Sequence, residues 1–379
     1  MSAIEYLEEI YREPTLRANE LKEEGSPVFG YLCAYAPVEI MTAAGVVPWR
    51  IRGSTTQPLE EATAYTESLV CPFIRSCVDR GLKGDFSFLD GFIAPHTCDA
   101  LELVYRIWVY QFKPAFHQYI HIPNSDLPPS FTFLHHHLNM FRQRLEKFIG
   151  RSISDTEIQE AMAAHNENRR LLREISALRK ESPPRVSGSR FLRLALASQS
   201  LDVSKANRLL AQALEELREL PPLEENRPRL LIYGSEIDDA AFLELLEGCG
   251  AWVVLDDLCT GLRAFRTDAT EAEGEDVLMA LARRYLEGLR CPCTHQNLPS
   301  RQRFSYLIDQ AREYRVEGVL LYMMQFCDTH YFDAPDLRDM FQELGLPTLV
   351  IEDGYFRLSD AALKTRLQAF VEMISQQGD

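Results

Sequence analysis

The sequence lacks any run of apolar residues long enough to cross a membrane. A spanning helix needs about 18 or more such residues in succession, and no segment of the 379 residues approaches that length. The first residues, MSAIEYLEEIYREP, mix charged and apolar side chains and lack the apolar centre of a signal peptide. We therefore expect a cytoplasmic protein with no membrane partner.

The chain is also poor in positive charge. Lys and Arg number 40 against 56 Asp and Glu, which gives a formal net charge of -16. Phosphate backbones and anionic membrane surfaces are bound by basic patches, so this composition argues against a nucleic-acid partner. The apolar share of 46% and the charged share of 25% are ordinary for a soluble globular protein.

Motifs that hold nucleotides or zinc are missing. Neither a G-x-G-x-x-G fingerprint nor a P-loop occurs, so the chain has no recognisable means of using ATP itself. The nine cysteines include no C-x-x-C pair. Cys291-x-Cys293 followed by His295 does not have the spacing of a zinc site, and neither do Cys71 and Cys77. Disulfides are not expected in a cytosolic chain, and most free cysteines are simply small buried residues.

Three of the cysteines stand just after segments with the pattern of β-strands. Cys98, Cys259 and Cys327 each follow an apolar run of the kind that forms a buried strand. In open α/β sheets, ligands bind beyond the carboxyl ends of the strands. Thiolates brought there from distant parts of a chain indicate a soft metal centre. An iron–sulfur centre assembled from separate loops tolerates irregular spacing, because the fold brings the thiolates together.

Strand and helix signals alternate in two halves of the chain and predict parallel sheets of an α/β protein. We expect an N-terminal α/β domain at 1–138, a charged, leucine-rich helical segment at 139–225 and a C-terminal α/β domain at 226–379. Within the helical segment, Ser154 and Glu157 have the spacing of a capping box at the start of a long helix.

Short motifs rich in Cys, Pro and Gly occur in order along nearly the whole chain, among them YLCAYAPVEI, CPFIRS, DLCTG and GLPTLVIE. The motif segments are 31–40, 43–48, 71–76, 98–99, 257–261, 291–292, 326–328 and 345–352. On these motifs the chain resembles the 2-hydroxyacyl-CoA dehydratase/benzoyl-CoA reductase family, which includes homodimeric double-cubane cluster proteins. The predicted fold class is α/β, with two flavodoxin-like parallel-sheet domains joined by a helical segment.

The resemblance implies an enzyme component that acts on an acyl-CoA thioester with electrons from another protein. In the family, a separate ATP-hydrolysing iron–sulfur activator delivers low-potential electrons one at a time. The implied cofactor is a [4Fe-4S] cluster held by three cysteines, and the matching positions here are Cys71, Cys98 and Cys327. Three thiolates leave one iron without a protein ligand, so substrate or a small ligand can reach it.

A larger cofactor is the alternative that the resemblance leaves open. Double-cubane relatives hold an [8Fe-9S] centre and reduce small molecules. They share a Cys-Thr-Gly motif and a Cys-x-Cys motif with this sequence. The additional cysteines in or beside family motifs are Cys33, Cys77, Cys259, Cys291 and Cys293. Since Cys259 and Cys291 also occur in single-cubane members, only Cys77 and Cys293 favour the larger cluster.

Partners follow from the same resemblance. Known members work as paired subunits, so we expect either a homodimer or a heterodimer with a paralogous subunit, and the sequence does not choose between them. We also expect a transient complex with the ATP-hydrolysing activator, because a low-potential centre without an ATP motif needs electrons from outside.

Two further residues are expected near the centre. Glu352 follows the last strand and would reach the sheet edge that carries the cysteines, although a solvated carboxylate is equally consistent with its place. His96 precedes the Cys98 turn and has the chemistry to donate a hydrogen bond to a cluster sulfur, or simply to pack the loop. The run of histidines at 135–137 is interpreted as solvated or capping, because adjacent residues on a helix point in different directions.

Overall fold

The fold is known from a computed structural model that describes residues 1–294, 300–355 and 361–377. His295, which follows the Cys-x-Cys motif, lies outside these residues. The first sheet has four parallel strands: β1 (Val28–Tyr31), β2 (Val47–Arg50), β3 (Gly91–His96) and β4 (Phe116–His121). They lie side by side in the order β2-β1-β3-β4.

The second sheet repeats this arrangement. Its strands are β5 (Arg229–Gly234), β6 (Trp252–Asp257), β7 (Gly318–Met324) and β8 (Thr348–Asp353). They are parallel throughout and lie in the order β6-β5-β7-β8. Every residue of β5 and β7 is buried, as expected for central strands that helices cover on both faces.

Both sheets have the strand order with which flavodoxin-like sheets begin, so the predicted fold class is confirmed. In each sheet the connections change direction between the two central strands, β1 and β3 in one and β5 and β7 in the other. Ligands of open α/β sheets bind at such switch points, beyond the carboxyl ends of the strands. The loops that follow these four strands are therefore the places to look for a site.

Helices fill the rest of the described chain. Those before β4 are α1 (Ala3–Arg12), α2 (Pro14–Glu23), α3 (Val38–Ala43), α4 (Pro72–Leu82) and α5 (Asp99–Phe112). The middle helices are α6 (Pro128–Ile149), α7 (Asp155–Ala177), α8 (Gly188–Ser198) and α9 (Val203–Glu219). After β5 come α10 (Ala241–Gly248), α11 (Leu262–Phe265), α12 (Val277–Arg283), α13 (Ser300–Arg303), α14 (Ser305–Glu313), α15 (Asp328–Glu343) and α16 (Ala361–Gln377). None of these helices, within the residues that the structure describes, could span a membrane.

The helical segment begins inside a helix rather than between elements. Residue 138, where the first domain was expected to end, lies within α6, and 225 lies in the loop between α9 and β5. The capping box predicted for Ser154 and Glu157 is present at the start of α7: the Glu157 amide donates to Ser154 Oγ, and the Ser154 amide donates to the Glu157 carboxylate.

The first helix of the chain packs far from its neighbours in sequence. Leu7 and Ile10 of α1 share a core with apolar residues of α7, α8, α9 and the second sheet. Glu216 near the end of α9 accepts hydrogen bonds from the amides of Ala3 and Ile4, at 2.7 and 3.0 Å. These amides have no partner within their own helix, so a carboxylate more than two hundred residues away stabilises the start of α1.

A buried ion pair joins the helical segment to the second sheet. Arg179, in a 3-10 turn after α7, lies 2.8 Å from Asp256 at the end of β6, and both side chains are almost fully buried. The guanidinium also donates to Ser176 Oγ and lies 4.0 Å from the ring centre of Phe191. Arg179 Nε and Nη1 are buried without a hydrogen-bond partner among the described residues. Replacing both members of such a buried pair costs little, but losing one member leaves an uncompensated charge.

Candidate metal centre

The three cysteines expected to hold a cluster have the same local environment. Cys71, Cys98 and Cys327 are the N-cap residues of α4, α5 and α15. Pro72 begins α4, where its missing N–H is no loss because the first amides of a helix lack intrahelical acceptors. The free amides and the positive end of each helix dipole favour a negatively charged group at these positions. The fold therefore places three thiols at helix starts whose amides would interact favourably with a thiolate or an anionic cluster.

The same three cysteines line one cavity, although they are far apart in sequence. The cavity has a volume of about 530 Å³, and its walls also include Leu69, Val70, Asp99, Ala100, Leu103, Phe326, Asp328 and Thr329. Cys98 follows β3 and Cys327 follows β7, so the central strands of the two sheets both open onto it. The Cys71 thiol reaches the end of β7, where its Sγ lies 3.6 Å from Met324 Sδ.

Burial keeps these thiols protonated when nothing cationic is bound. It raises the pKa of Cys71 to about 12, and the neighbouring Cys327 acts in the same direction. It also raises the pKa of Cys98 and of Cys327, against the lowering by backbone amides at the helix starts. Only a positively charged group in the cavity would make three thiolates favourable, and its binding would release protons.

The donors at this cavity are of the kind that hold an iron–sulfur cluster. Among the described residues, no three His, Cys, Asp or Glu side chains are close enough together to hold a single metal ion. Three soft thiol donors around a cavity of this size nevertheless match the ligand set of an iron–sulfur cluster, which spreads its irons over a larger volume. The residues present therefore fit the [4Fe-4S] cluster expected from the sequence.

Four more cysteines surround this centre: Cys33, Cys259, Cys291 and Cys293. Burial raises the pKa of Cys33 to about 11, with Cys291 as the next contribution. A hydrogen bond from Cys293 lowers the pKa of Cys291, which also interacts electrostatically with Cys259 and Cys327. These charge interactions require the second group to lie near the first. The interactions thus place these four cysteines near one another, with three of them near Cys98 or Cys327, although none of the four lines the thiol cavity.

Cys77 lies in a different environment. It is fully buried on α4 in a hydrophobic core with Ile74 and Val78, and it is not among the residues that line the thiol cavity. Burial, followed by the charge of Asp238, raises the pKa of this thiol well above its usual value. In this structure Cys77 packs as a small apolar residue.

The loops that carry the cysteines contain unusual backbone. Cys33, after β1, has φ 71°, and Phe326, before Cys327, has φ 61°. Residues other than Gly adopt this left-handed conformation at a cost of about 1–2 kcal/mol, and such strain is concentrated at functional sites. Cys33 Sγ lies 3.5 Å from Thr97 Oγ1, which links the loops after β1 and β3 across the switch point of the first sheet.

His96 lies beside the centre, in a groove lined by aromatic and imidazole rings. Its ring centre is 5.1 Å from that of Tyr119 and 5.6 Å from that of His121, and its Nε2 is 3.7 Å from a carboxylate oxygen of Glu102. The groove has a volume of about 530 Å³, and Cys98 lines both this groove and the thiol cavity. His96 thus adjoins the site, and its imidazole is directed at Glu102 and the neighbouring rings.

Glu352 is exposed at the end of β8 and does not line the thiol cavity. Its Oε1 accepts a hydrogen bond of 2.9 Å from Gln325 Nε2, and the Tyr331 hydroxyl also interacts with it. The strand does deliver this carboxylate to the expected sheet edge, but its side chain is turned to solvent.

A buried series of hydrogen bonds that sequence reasoning did not find connects two of the cysteines. Arg263 Nη1 donates to Cys259 Sγ at 3.4 Å and lies 3.1 Å from His330 Nε2, while His330 Nδ1 lies 3.4 Å from Cys327 Sγ. Burial, with Arg263 and Arg303, lowers the pKa of His330 far below its usual value, so the imidazole is neutral. Because Arg263 can only donate, Nε2 accepts, and Nδ1–H donates to the Cys327 sulfur.

The sequence signal for this hydrogen-bonded series was its spacing. Arg263 comes four residues after Cys259, and His330 comes three residues after Cys327 at the start of α15. Residues three or four apart at a helix start face the same side, so His330 was a candidate to contact Cys327, whereas Cys259 lies in a loop before α11 and gave no such signal. The contact of Arg263 with His330 depends on how the segments that follow β6 and β7 pack together, so nothing in the local sequence predicts it.

Comparisons with known proteins agree with this geometry. The family described as "2-hydroxyglutaryl-CoA dehydratase, D-component" matches residues 33–374. The chain is 32% identical over 377 residues to "Putative dehydratase subunit YjiM" of Escherichia coli (strain K12), covering 95% of this chain and 94% of the relative. It is 27% identical over 350 residues to one of the subunits of benzoyl-CoA reductase from Thauera aromatica, covering 90% and 89%.

A third relative has similar coverage at lower identity. The "(R)-phenyllactyl-CoA dehydratase beta subunit" of Clostridium sporogenes is 24% identical over 359 residues, which are 93% of each chain. All three relatives align over nearly their full lengths, so the resemblance extends well beyond the cysteine loops. The chain therefore belongs to the 2-hydroxyglutaryl-CoA dehydratase D-component family, as an enzyme component of the dehydratase and reductase type.

Proposed function

We propose that this protein is the iron–sulfur catalytic component of an ATP-dependent, low-potential reductase or dehydratase that acts on an acyl-CoA thioester. The observation that carries the proposal is that Cys71, Cys98 and Cys327, each at a helix N-terminus, line one cavity. The relatives named as phenyllactyl-CoA dehydratase and benzoyl-CoA reductase subunits give the substrate class.

In this proposal Cys71, Cys98 and Cys327 hold a [4Fe-4S] cluster, which supplies one-electron reduction at low potential. The chain's own residues shape what can reach it. Leu69, Val70 and Leu103 give the cavity apolar walls suited to an acyl chain, and the volume of about 530 Å³ is within the usual range for a small-molecule site. The three cysteines are partly buried, and Leu69 and Phe326 in the wall are 68% and 41% exposed, so the cavity is open to a ligand from solvent.

His330 is proposed to adjust the electron affinity of this centre. Its Nδ1–H donates to the Cys327 sulfur, and a hydrogen bond to a thiolate ligand stabilises the more negative, reduced state. We expect His330→Leu to lower the midpoint potential by on the order of 50 mV, close to a tenfold change for one electron. His330→Asn, whose amide N–H can take the place of Nδ1–H, should stay near the wild-type potential. An electron paramagnetic resonance titration measures both, and equal potentials in the two variants would remove His330 from this role.

The second candidate function is a homodimeric double-cubane reductase of small molecules. The observation that favours it is that Cys33 and Cys293 interact electrostatically with Cys98, and Cys291 with Cys327, while Cys259 interacts with Cys33 and Cys291. Cys77 does not line the thiol cavity and, like Cys291 and Cys293, belongs to a hydrophobic core, so in this form a core cysteine would have to become a ligand.

Partners are part of the proposal. Several relatives of this chain are named as beta subunits, and another as a subunit of benzoyl-CoA reductase, which supports a heterodimer with a paralogous subunit. Since the sequence contains no ATP-binding motif, electrons would come from a separate ATP-hydrolysing iron–sulfur activator that docks transiently.

Anaerobic purification of the chain, alone and with a paralogous subunit, tests this function. We expect roughly four irons and four acid-labile sulfides per chain. With activator, ATP and a reductant, we expect dehydration or two-electron reduction of an acyl-CoA from a panel of 2-hydroxyacyl and aromatic thioesters, followed by mass spectrometry. Omitting ATP should abolish the product.

Other outcomes separate the alternatives. Roughly eight irons per chain in a stable homodimer would select the double-cubane function. If the chain binds no iron, the proposed cofactor is wrong. If the cluster-loaded protein accepts no electrons from any activator with ATP, the proposed partner is wrong.

A further inference from the structure

A small cavity without a role in the proposed function lies where the first sheet, the helical segment and the second half of the chain meet. Its volume is about 70 Å³, and it shares no lining residue with the thiol cavity. Its polar wall comes from β1, β2, α7, the end of α8 and the turn after α12. Its polar residues include Tyr31, Arg50, His165, Arg169, Gln199 and Arg284.

Three almost fully buried guanidinium groups face this cavity, and two of them have carboxylate partners. Arg50 pairs with Glu236, and Arg169 pairs with Glu39. Arg284 is 7% exposed and makes hydrogen bonds only to the carbonyl oxygens of Ala264 and Thr267, at 2.8 and 3.3 Å. Within the described residues no carboxylate lies at ion-pair distance from it.

The nearby carboxylates already form ion pairs with other arginines. Glu39 interacts with Arg284 as well as with Arg169, so one carboxylate serves two guanidinium groups. Asp268 also acts on Arg284, but it forms an ion pair of 2.8 Å with Arg173. Three arginines at the cavity and two carboxylates thus leave one positive charge uncompensated.

Neither titration nor hydrogen bonding removes this charge. Burial and the nearby Arg169 lower the pKa of Arg284 only to about 10, so it remains charged at pH 7. Burial lowers the pKa of His165 to about 4, so this ring is neutral and adds no further positive charge. Arg50 Nε is a buried donor with no hydrogen-bond partner among the described residues.

A local distortion places Arg284 at the cavity. α12 continues into a π-helical turn at Arg284–Gly288, and such turns interrupt helices mostly at functional sites. The turn packs closely: a Cβ at Gly288 would lie 2.1 Å from Thr267 Oγ1. The neighbouring Arg283 is held away from the cavity by Glu275 and is 35% exposed in its side chain.

We propose that this cavity binds a small monovalent anion, either a halide or a one-carbon carboxylate. An isolated buried charge is costly unless it is paired, and an anion here would be the missing partner of Arg284. The cavity has room for an ion with a few waters, since one water needs about 10–15 Å³ of such space. The anion would bridge the two sheets and the helical segment.

The test uses the full chain and sodium bromide against sodium gluconate at equal ionic strength. Bromide should raise the midpoint of thermal unfolding saturably, by about 1–3 °C. Arg284→Gln should lose the saturable part, and the matched control Arg283→Gln should keep it. A sodium formate series, with bromide competition, shows whether a carboxylate binds more tightly than a halide.

Crystals of the unaltered protein grown in bromide provide a measurement that does not depend on a variant folding. An anomalous peak between Arg284 and Arg169 is expected. The proposal is overturned if no peak occurs in the cavity, if gluconate gives the same rise as bromide, or if Arg284→Gln retains the full saturable effect.

Discussion

Replacing Cys98 by serine is expected to give a folded protein that has lost its cluster and its activity. Serine is a good N-cap residue, so α5 should keep its start. A hydroxyl is a poor ligand for iron compared with a thiolate, because it is harder and far less acidic. We expect iron content to fall or the cluster to convert to another form, and activity with activator and ATP to drop by at least roughly 10²-fold. Iron analysis and electron paramagnetic resonance spectra measure this.

Cys249→Ser is the matched control. Cys249 ends α10, is half-buried, and lines neither the thiol cavity nor the histidine groove. Its variant should bind iron as the unaltered protein does. If Cys98→Ser also kept the normal iron content and spectrum, Cys98 would not be a ligand.

Replacing Arg179 by methionine is expected to destabilise the protein by about 3–5 kcal/mol, because Asp256 would remain buried without its cation. The free energy of unfolding, from urea titration of the metal-free protein, measures this. Adding Asp256→Asn should recover part of the loss, since it removes the stranded charge.

The control for this prediction is an exposed pair. Arg312 lies 3.7 Å from Asp309, and their side chains are 70% and 78% exposed. Such pairs contribute little, so Arg312→Met should change stability by less than about 0.5 kcal/mol. A loss of under about 1 kcal/mol in Arg179→Met would show that water or a rearrangement compensates Asp256.

The fold could be predicted because its signals are local. Apolar runs followed by Cys98, Cys259 and Cys327 gave strands in the right order, and the Ser154 capping box needed only the spacing of two residues. The positions of Cys98 and Cys327 at strand ends were predictable, because ligands of open sheets bind there. Their convergence with Cys71 on one cavity depends on how the two sheets pack.

What escaped prediction depends on contacts between distant segments. Cys71 caps α4 and Cys77 lies within the same helix. The packing of α4 buries Cys77 in the core and leaves Cys71 at the cavity. Arg263 and His330 are in contact only because the loop after β6 packs against α15. The exposure of Glu352 depends on the direction in which its side chain leaves the end of β8. The spacing of residues in a single sequence carries no information about contacts between distant segments.

The position of α1 has a consequence for how the chain is made. Ala3 and Ile4 leave the ribosome long before Glu216, a separation of 213 residues for the first of these contacts. Closing so long a loop is entropically costly, and contacts at such separation slow folding. Nascent α1 therefore has an exposed apolar face until α9 and the second sheet have been synthesised. This unpaired apolar face makes α1 of the nascent chain a natural binding site for chaperones.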